Sequence, residues 1–209
     1  MTILAHLQSQ MEELYSRPHE LFVEDFLIDP RKIQPIEREE TLFIKERDGL
    51  IEIGLYIDPK IFETLKRFPP EQRLSGSNLD SFCTAVEGVS HFLMVSYRIQ
   101  QRQPISLLEL ELQGEIDKYL FCLLTLERQK RDEPLRELKN TLFERFSLFQ
   151  SLAAEEQDRY HLANRLAHQY CRKLEKLTHP FERGHLLKEA RTFRQNNLQG
   201  KIHLLTNRD

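Results

Sequence analysis

Glycine is scarce in this sequence, which has only seven glycines among 209 residues. They stand at positions 49, 54, 76, 88, 114, 184 and 200, and no two are closer than five residues apart. Phosphate-binding loops need several glycines within about six residues, because backbone N–H groups have to approach the anion. The sequence therefore excludes Walker-type loops and dinucleotide-binding fingerprints. It also lacks Gly-x-Ser-x-Gly, His-Glu-x-x-His and paired Cys-x-x-Cys motifs, which excludes the hydrolases, zincins and zinc ribbons that these motifs define.

Cysteines and long apolar runs are few as well. Cys83, Cys122 and Cys171 lie far apart in apolar helical patterns, which predicts reduced core thiols rather than a disulfide framework. No segment approaches the roughly 18 apolar residues of a membrane span, and no basic segment followed by an apolar run opens the chain. We therefore expect a cytoplasmic protein with no membrane contact.

Charge is distributed unevenly along the chain. Residues 1–126 carry 13 Lys and Arg against 21 Asp and Glu, whereas residues 127–209 carry 17 against 12. Residues 159–208 hold 11 basic and three acidic side chains, together with five of the eight histidines. An acidic part and a basic part can pair within one molecule or across a dimer, and the basic part can also face a polyanion.

The first 73 residues predict a small α/β element. Residues 3–15 place apolar side chains at helical spacing. Runs 41–45 and 50–57 are rich in β-forming residues and flank Asp48-Gly49, a dipeptide typical of tight hairpin turns. Alternation in the second run predicts one buried face, made of Ile51, Ile53, Leu55 and Ile57.

The connections around this hairpin are less regular. Residues 21–28 fit either a strand or a further turn of helix, and residues 31–40 are expected to form an exposed connection. Asp58 is placed to cap a short helix that begins at Pro59, where the missing N–H costs nothing.

From residue 77 onward the pattern is helical. We expect five helices, at about 77–101, 104–128, 132–152, 155–177 and 180–197, with Gly200 just past the last one. Ser106 and Glu109 have the spacing of a capping box. The short connections favour antiparallel neighbours in a bundle. The predicted fold is α+β and predominantly α, with the small N-terminal hairpin and helix element of residues 1–73 packed on a helical bundle of residues 74–209.

Glu87 and His91 form the first candidate site. They lie four residues apart on one helix face, inside the most apolar helical stretch of the chain. A desolvated carboxylate has a raised pKa and can share its proton with an imidazole, which is the material of acid/base chemistry. With Glu115 they are the candidate catalytic residues, and the alternative is a hydrogen-bonded buried pair without chemistry. Gly88 beside them indicates a close approach, most simply by another helix backbone.

A group of acids follows on the next predicted helix: Glu109, Glu111, Glu115 and Asp117. A carboxylate-bridged metal pair in a bundle uses Glu-x-x-His motifs, and none is present. We therefore expect no metal site and no cofactor, and pairing with basic side chains of other helices explains the acids better. A single Mg²⁺ or Zn²⁺ held by Glu87, His91 and Glu115 is the alternative.

Basic side chains in the region 159–201 suggest anion binding. After His161, four more basic side chains follow at steps of three or four residues, so the five lie along one face of the predicted helix. With Arg191 they form the candidate anion-binding set: His161, Arg165, His168, Arg172, Lys176 and Arg191. A solvated face or internal ion pairs are the common explanation of such a stripe. RNA or DNA is the alternative partner, although few aromatic rings are available for stacking.

These observations favour a non-enzymatic interaction or regulatory protein that binds a protein partner or itself, since no complete catalytic set is present. The alternatives are a nucleic-acid or anion-binding module that uses residues 159–201, and a metal-dependent or acid/base enzyme built around Glu87, His91 and Glu115.

Overall fold

The chain is described by a computed structural model that covers residues 1–34, 36–131, 137–144, 152–175 and 183–206. The predicted fold class is confirmed, because 67% of the described residues are helical and these residues contain one two-stranded antiparallel sheet near the N-terminus. No helix in these ranges is both long and apolar enough to cross a bilayer. The division into two units at residue 73 stays a prediction.

The N-terminal part begins with helix α1 (Ile3–Tyr15), and the Thr2 hydroxyl caps it by accepting from the Ala5 N–H. Residues 21–28 contain one turn of 3₁₀ helix (Val23–Phe26), which agrees with the helical one of the two expected forms, and a single bridge between Leu27 and Leu55. Another 3₁₀ turn (Pro30–Lys32) precedes the sheet.

Strands β1 (Glu40–Arg47) and β2 (Leu50–Ile57) form the predicted hairpin. Arg47 pairs with Leu50, so the loop has two residues, and both Asp48 (φ 53°) and Gly49 (φ 76°) adopt the left-handed conformation that a type I′ turn requires. Helix α2 (Pro59–Arg67) follows at once, and the Asp58 carboxylate caps it by accepting from the Lys60 N–H.

The predicted alternation along β2 is wrong. Burial follows position along the strand instead, since Leu55, Tyr56 and Ile57 are all buried whereas Leu50 and Ile51 are exposed. The reason is that the helices cover only one end of the hairpin. Segment 27–28 also lies beside this end of β2, where the Ile28 N–H donates to the Leu55 carbonyl over 2.9 Å.

Two long helices form the centre of the molecule: α3 (Leu79–Gln100) and α4 (Leu107–Arg128). They are antiparallel, because contacts that ascend along α3 descend along α4, from Cys83 with Cys122 to Arg98 with Glu109. The Ser106 hydroxyl accepts from the Glu109 N–H as a capping box requires, but the Glu109 carboxylate accepts from Arg98. All three cysteines are buried free thiols.

The C-terminal part contributes a short π-helical turn (Asn140–Glu144) and helices α5 (Ala154–Glu175), α6 (Arg183–Gln195) and α7 (Leu198–Thr206). The predicted helix at 132–152 lies mostly outside the described residues. Gly200 is inside α7 rather than past the last helix, because Asn197 restarts the helix by accepting from the Gly200 N–H. Helix α5 contacts α4, and its buried Ala163 and Ala167 allow a close approach.

Gly88 on α3 marks the place where the hairpin meets the bundle. A methyl group on its Cα would lie 3.2 Å from Glu40 Cγ, 3.2 Å from Ile57 Cδ1 and 3.4 Å from Leu55 Cδ1. The close approach predicted at Gly88 therefore comes from side chains of β1 and β2, and not from another helix backbone. It brings Glu40 to the face of α3 that carries Glu87 and His91.

Candidate metal centre

Three metal-ligating side chains meet between α3 and α4. Glu87 and His91 occupy one face of α3, as their spacing predicts, and Glu111 approaches them from α4. One ligand atom from each residue lies within 4.8 Å of the other two. Glu87, His91 and Glu111 are called the ligand trio below.

His91 fits into this trio because the residue opposite it on α4, Gly114, has no side chain. A Cβ atom on Gly114 of α4 would lie 3.0 Å from His91 Nε2, so glycine leaves room for the imidazole. The residue is only 5% exposed. Its Nδ1 lies 3.4 Å from Glu40 Oε1, whereas its Nε2 is 4.0 Å from Glu111 Oε2 and has no hydrogen-bond partner. Buried polar atoms are normally paired, so this nitrogen is an exception.

Two basic side chains flank the trio. The Lys118 ammonium donates to Glu87 Oε2 over 3.1 Å and to Glu115 Oε1 over 2.8 Å. On the other side, Arg159 of α5 places Nε 3.8 Å from Glu111 Oε1. Glu115 is thus held by Lys118, and the structure groups Glu111 rather than Glu115 with Glu87 and His91.

Burial and charge displace the pKa values of the trio in different directions. Burial lowers the pKa of His91, but the carboxylates of Glu40, Glu111 and Glu87 outweigh this effect and raise it to about 9. Burial raises the pKa of Glu111 to about 7 against the opposing charge of His91. Burial also acts to raise the pKa of Glu87, but the positive charges of Lys118 and His91 outweigh burial and lower this pKa below its ordinary value. The site therefore attracts positive charge.

A second buried polar cluster lies nearby around Asp117, which is fully buried on α4. Arg194 Nη1 donates to Asp117 Oδ2 over 2.7 Å, and Gln113 Nε2 donates to Oδ1 over 2.9 Å. The hydroxyls of Tyr15 and Ser90 also donate to this carboxylate. Asp117 thus connects α1, α3, α4 and α6.

Lys201 of α7 extends this second cluster. Its ammonium donates to Gln113 Oε1 over 2.9 Å and lies 3.7 Å from Glu109 Oε1. Glu109 in turn accepts from Arg98 Nη2 over 2.6 Å. Burial lowers the pKa of Lys201 to about 7, although Glu109 opposes the effect. Of the four acids grouped in the sequence, Glu109, Glu111 and Asp117 lie near basic side chains of other helices, as expected. Glu115 instead pairs with Lys118 of its own helix.

The structure places the candidate anion-binding residues in different surroundings. His161, Arg165 and Arg172 are exposed on α5, whereas His168 stacks on Phe143 with ring centroids 5.3 Å apart. Arg191 Nε donates to the Leu14 carbonyl over 2.7 Å, at the end of α1. Lys176 lies outside the described residues. The nucleic-acid interpretation of residues 159–201 stays a prediction.

Sequence reasoning missed three members of the site: Glu40, Lys118 and Arg159. Glu40 ends a segment predicted to be an exposed connection, but its side chain is only 12% exposed. No local pattern distinguishes these residues from other charged residues. The available signals were two glycines in mid-helix: Gly88, over which Glu40 packs, and Gly114, which lies opposite His91.

No family model matches the chain, and neither a curated protein nor a solved structure shows significant similarity to it. The fold and the geometry above are therefore the basis for a functional proposal.

Proposed function

We propose that this protein binds a divalent metal ion between α3 and α4, with Glu87, His91 and Glu111 as ligands. The observation that carries the proposal is the buried, unpartnered Nε2 of His91, which lies 4.0 Å from Glu111 Oε2 in a group of three side chains whose ligand atoms all lie within 4.8 Å of one another. Ligands about 2.1 Å from one ion lie roughly 3 to 3.5 Å from each other. Small side-chain rotations are enough to bring the trio to that spacing.

The charges of the cluster support a divalent ion. Besides His91, it contains four carboxylates and two basic side chains: Glu40, Glu87, Glu111, Glu115, Lys118 and Arg159. A metal ion binds imidazole and carboxylate in their deprotonated forms, so its binding releases the protons of His91 and Glu111. In that state the carboxylates exceed the cations by two charges. A divalent cation balances this excess. Two carboxylates and one imidazole suit ions such as Mn²⁺ and Zn²⁺.

The proposal predicts unequal effects of two identical substitutions on α4. Glu111→Gln removes a ligand, so the dissociation constant for Mn²⁺ should rise by more than about tenfold. Glu115→Gln changes a carboxylate that Lys118 holds away from the trio, so the affinity should fall less. Calorimetric titration of Mn²⁺ into each protein, with circular dichroism to verify folding, measures both effects.

Two outcomes would contradict the metal site. One is the absence of Mn²⁺ and Zn²⁺ binding by the unmodified protein. The other is an equal or greater loss of affinity in Glu115→Gln, which would favour Glu87, His91 and Glu115, the alternative ligand set considered from sequence, over the trio.

A second candidate function, self-association, is supported by the hairpin. Its distal half carries four exposed apolar side chains: Phe43, Ile44, Leu50 and Ile51. Within the described residues β1 has no strand on its outer edge, so its backbone groups are available to another strand. The distal half carries two basic and three acidic side chains, so two hairpins can meet with little net repulsion. We propose a second copy of this chain as the partner.

This proposal predicts that a charge on the apolar tip prevents dimer formation. Ile44→Lys should convert a concentration-dependent dimer to a monomer, because the ammonium has to be desolvated at the interface. Ile202→Lys is the matched control, since Ile202 is exposed on α7, a helix that contacts α5 and α6. Sedimentation measures the mass of each. A monomeric unmodified protein at all concentrations, or equal effects of both variants, would refute it.

A further inference from the structure

Arg159 presents unused hydrogen-bond donors beside the ligand trio. Its Nε lies 3.8 Å from Glu111 Oε1 and its Nη2 lies 3.6 Å from Glu156 Oε1, and both distances exceed that of a hydrogen bond. The Nε atom is buried and has no hydrogen-bond partner. The side chain is 18% exposed. A guanidinium has five N–H donors, and a buried donor that makes no hydrogen bond costs free energy.

A row of charged side chains connects Arg159 to the surface. Glu156 Oε1 accepts from Arg38 Nη2 over 2.7 Å, and Arg38 is the more exposed of the two arginines. The row therefore proceeds from Arg38 at the surface through Glu156 and Arg159 to Glu111. Arg38 keeps Glu156 engaged, which leaves Arg159 without a close acceptor of its own.

We infer that an anionic phosphoryl group binds between Arg159 and the metal ion held by the trio, an inference that rests on the proposed metal site. The planar donors of arginine match the oxygens of phosphate in a two-point arrangement. The trio supplies three ligands, which leaves coordination positions for oxygens from outside the chain. Ions of this type are commonly held by a few carboxylates together with phosphate oxygens. A phosphoryl group can therefore accept hydrogen bonds from Arg159 and coordinate the ion at the same time.

The test uses the full chain with Mn²⁺ bound. Inorganic phosphate is titrated calorimetrically into the Mn²⁺-loaded protein and into metal-free protein, and the electron paramagnetic resonance spectrum of Mn²⁺ is recorded at each addition. We expect phosphate to bind only the loaded protein and to change the spectrum, because it enters the coordination sphere. A phosphate monoester is then compared with free phosphate to distinguish the two sources of the group.

Arg159→Gln should raise the dissociation constant for phosphate by about tenfold or more, since charge-assisted hydrogen bonds are lost. Arg67→Gln on the exposed face of α2 removes the same charge elsewhere and is the matched control. Each variant is loaded to saturation with Mn²⁺ before phosphate is added, and its folding is verified by circular dichroism.

The outcomes are distinguishable. Failure to bind Mn²⁺ contradicts the proposed function itself. Binding of Mn²⁺ without any effect of phosphate contradicts only the phosphoryl inference. Acetate binding in preference to phosphate would show that the group recognised is a carboxylate, and equal losses in Arg159→Gln and Arg67→Gln would show that Arg159 does not contact the anion. Either result overturns the inference.

Discussion

Arg194→Met is expected to lower the free energy of unfolding by about 3 to 5 kcal/mol, because it leaves a fully buried carboxylate without its cation. Asp117 is 0% exposed, and Arg194 Nη1 lies 2.7 Å from its Oδ2. The remaining donors to Asp117 are uncharged side chains from α1, α3 and α4. Urea denaturation followed by circular dichroism measures the loss.

Arg31→Met is the matched control, because Arg31 pairs with Asp29 at the protein surface, where water screens both charges. It should leave the unfolding midpoint almost unchanged. A double variant, Arg194→Met with Asp117→Asn, removes the stranded charge and should recover part of the lost stability. Equal losses in Arg194→Met and Arg31→Met would show that the buried pair contributes no more than a surface pair.

The parts of the fold that could be predicted from sequence are those that local chemistry determines. Asp48-Gly49 supplies two residues that tolerate positive φ, so it identifies the hairpin loop. The side chains of Asp58 and Ser106 accept from backbone N–H groups two and three residues later in the chain, respectively. The start of a helix can therefore be predicted from the residues of its first turn. Glu87 and His91 share a helix face for the same local reason.

The composition of the site could not be predicted in this way, because it depends on contacts between residues far apart in sequence. Glu111 and Glu115 lie one turn apart on α4 and have the same side chain. Lys118 pairs with Glu115 three residues away on the same helix, but the register between α3 and α4 decides that Lys118 also reaches Glu87 and that Glu111 faces His91. Glu40 reaches His91 only because the hairpin packs over Gly88, which is a tertiary contact.

The basic stripe shows the same limit. Helical spacing places His161, Arg165, His168 and Arg172 along one line of α5, but the partner of each depends on what packs nearby. His168 is covered by the Phe143 ring, whereas Arg165 is exposed. Arg159, two residues before the predicted stripe, lies next to Glu111 and is one of the two basic residues of the site.

Lys201 should make stability depend on pH over the neutral to alkaline range. Its pKa is lowered to about 7 in the folded protein, because burial disfavours the ammonium, whereas the unfolded chain keeps the ordinary value of 10.5. Between these values the unfolded state binds more protons, so raising the pH favours the folded state. Lys201→Met removes this contribution. The unfolding free energy of the unmodified protein, relative to that of Lys201→Met, should rise by about 1.4 kcal/mol per pH unit between pH 7 and 10.

Comparing the two proteins is essential, because His91 acts in the opposite direction. The pKa of His91 is raised to about 9 from 6.5, so its stabilising contribution is present at pH 6 and is lost as the pH rises toward 9. This contribution is common to both proteins and cancels in the difference. Lys60→Met, at an exposed position of α2, is the control and should leave the profile parallel to that of the unmodified protein. A flat difference between the unmodified protein and Lys201→Met from pH 7 to 10 would mean that Lys201 stays charged when buried, with Glu109 compensating for its desolvation.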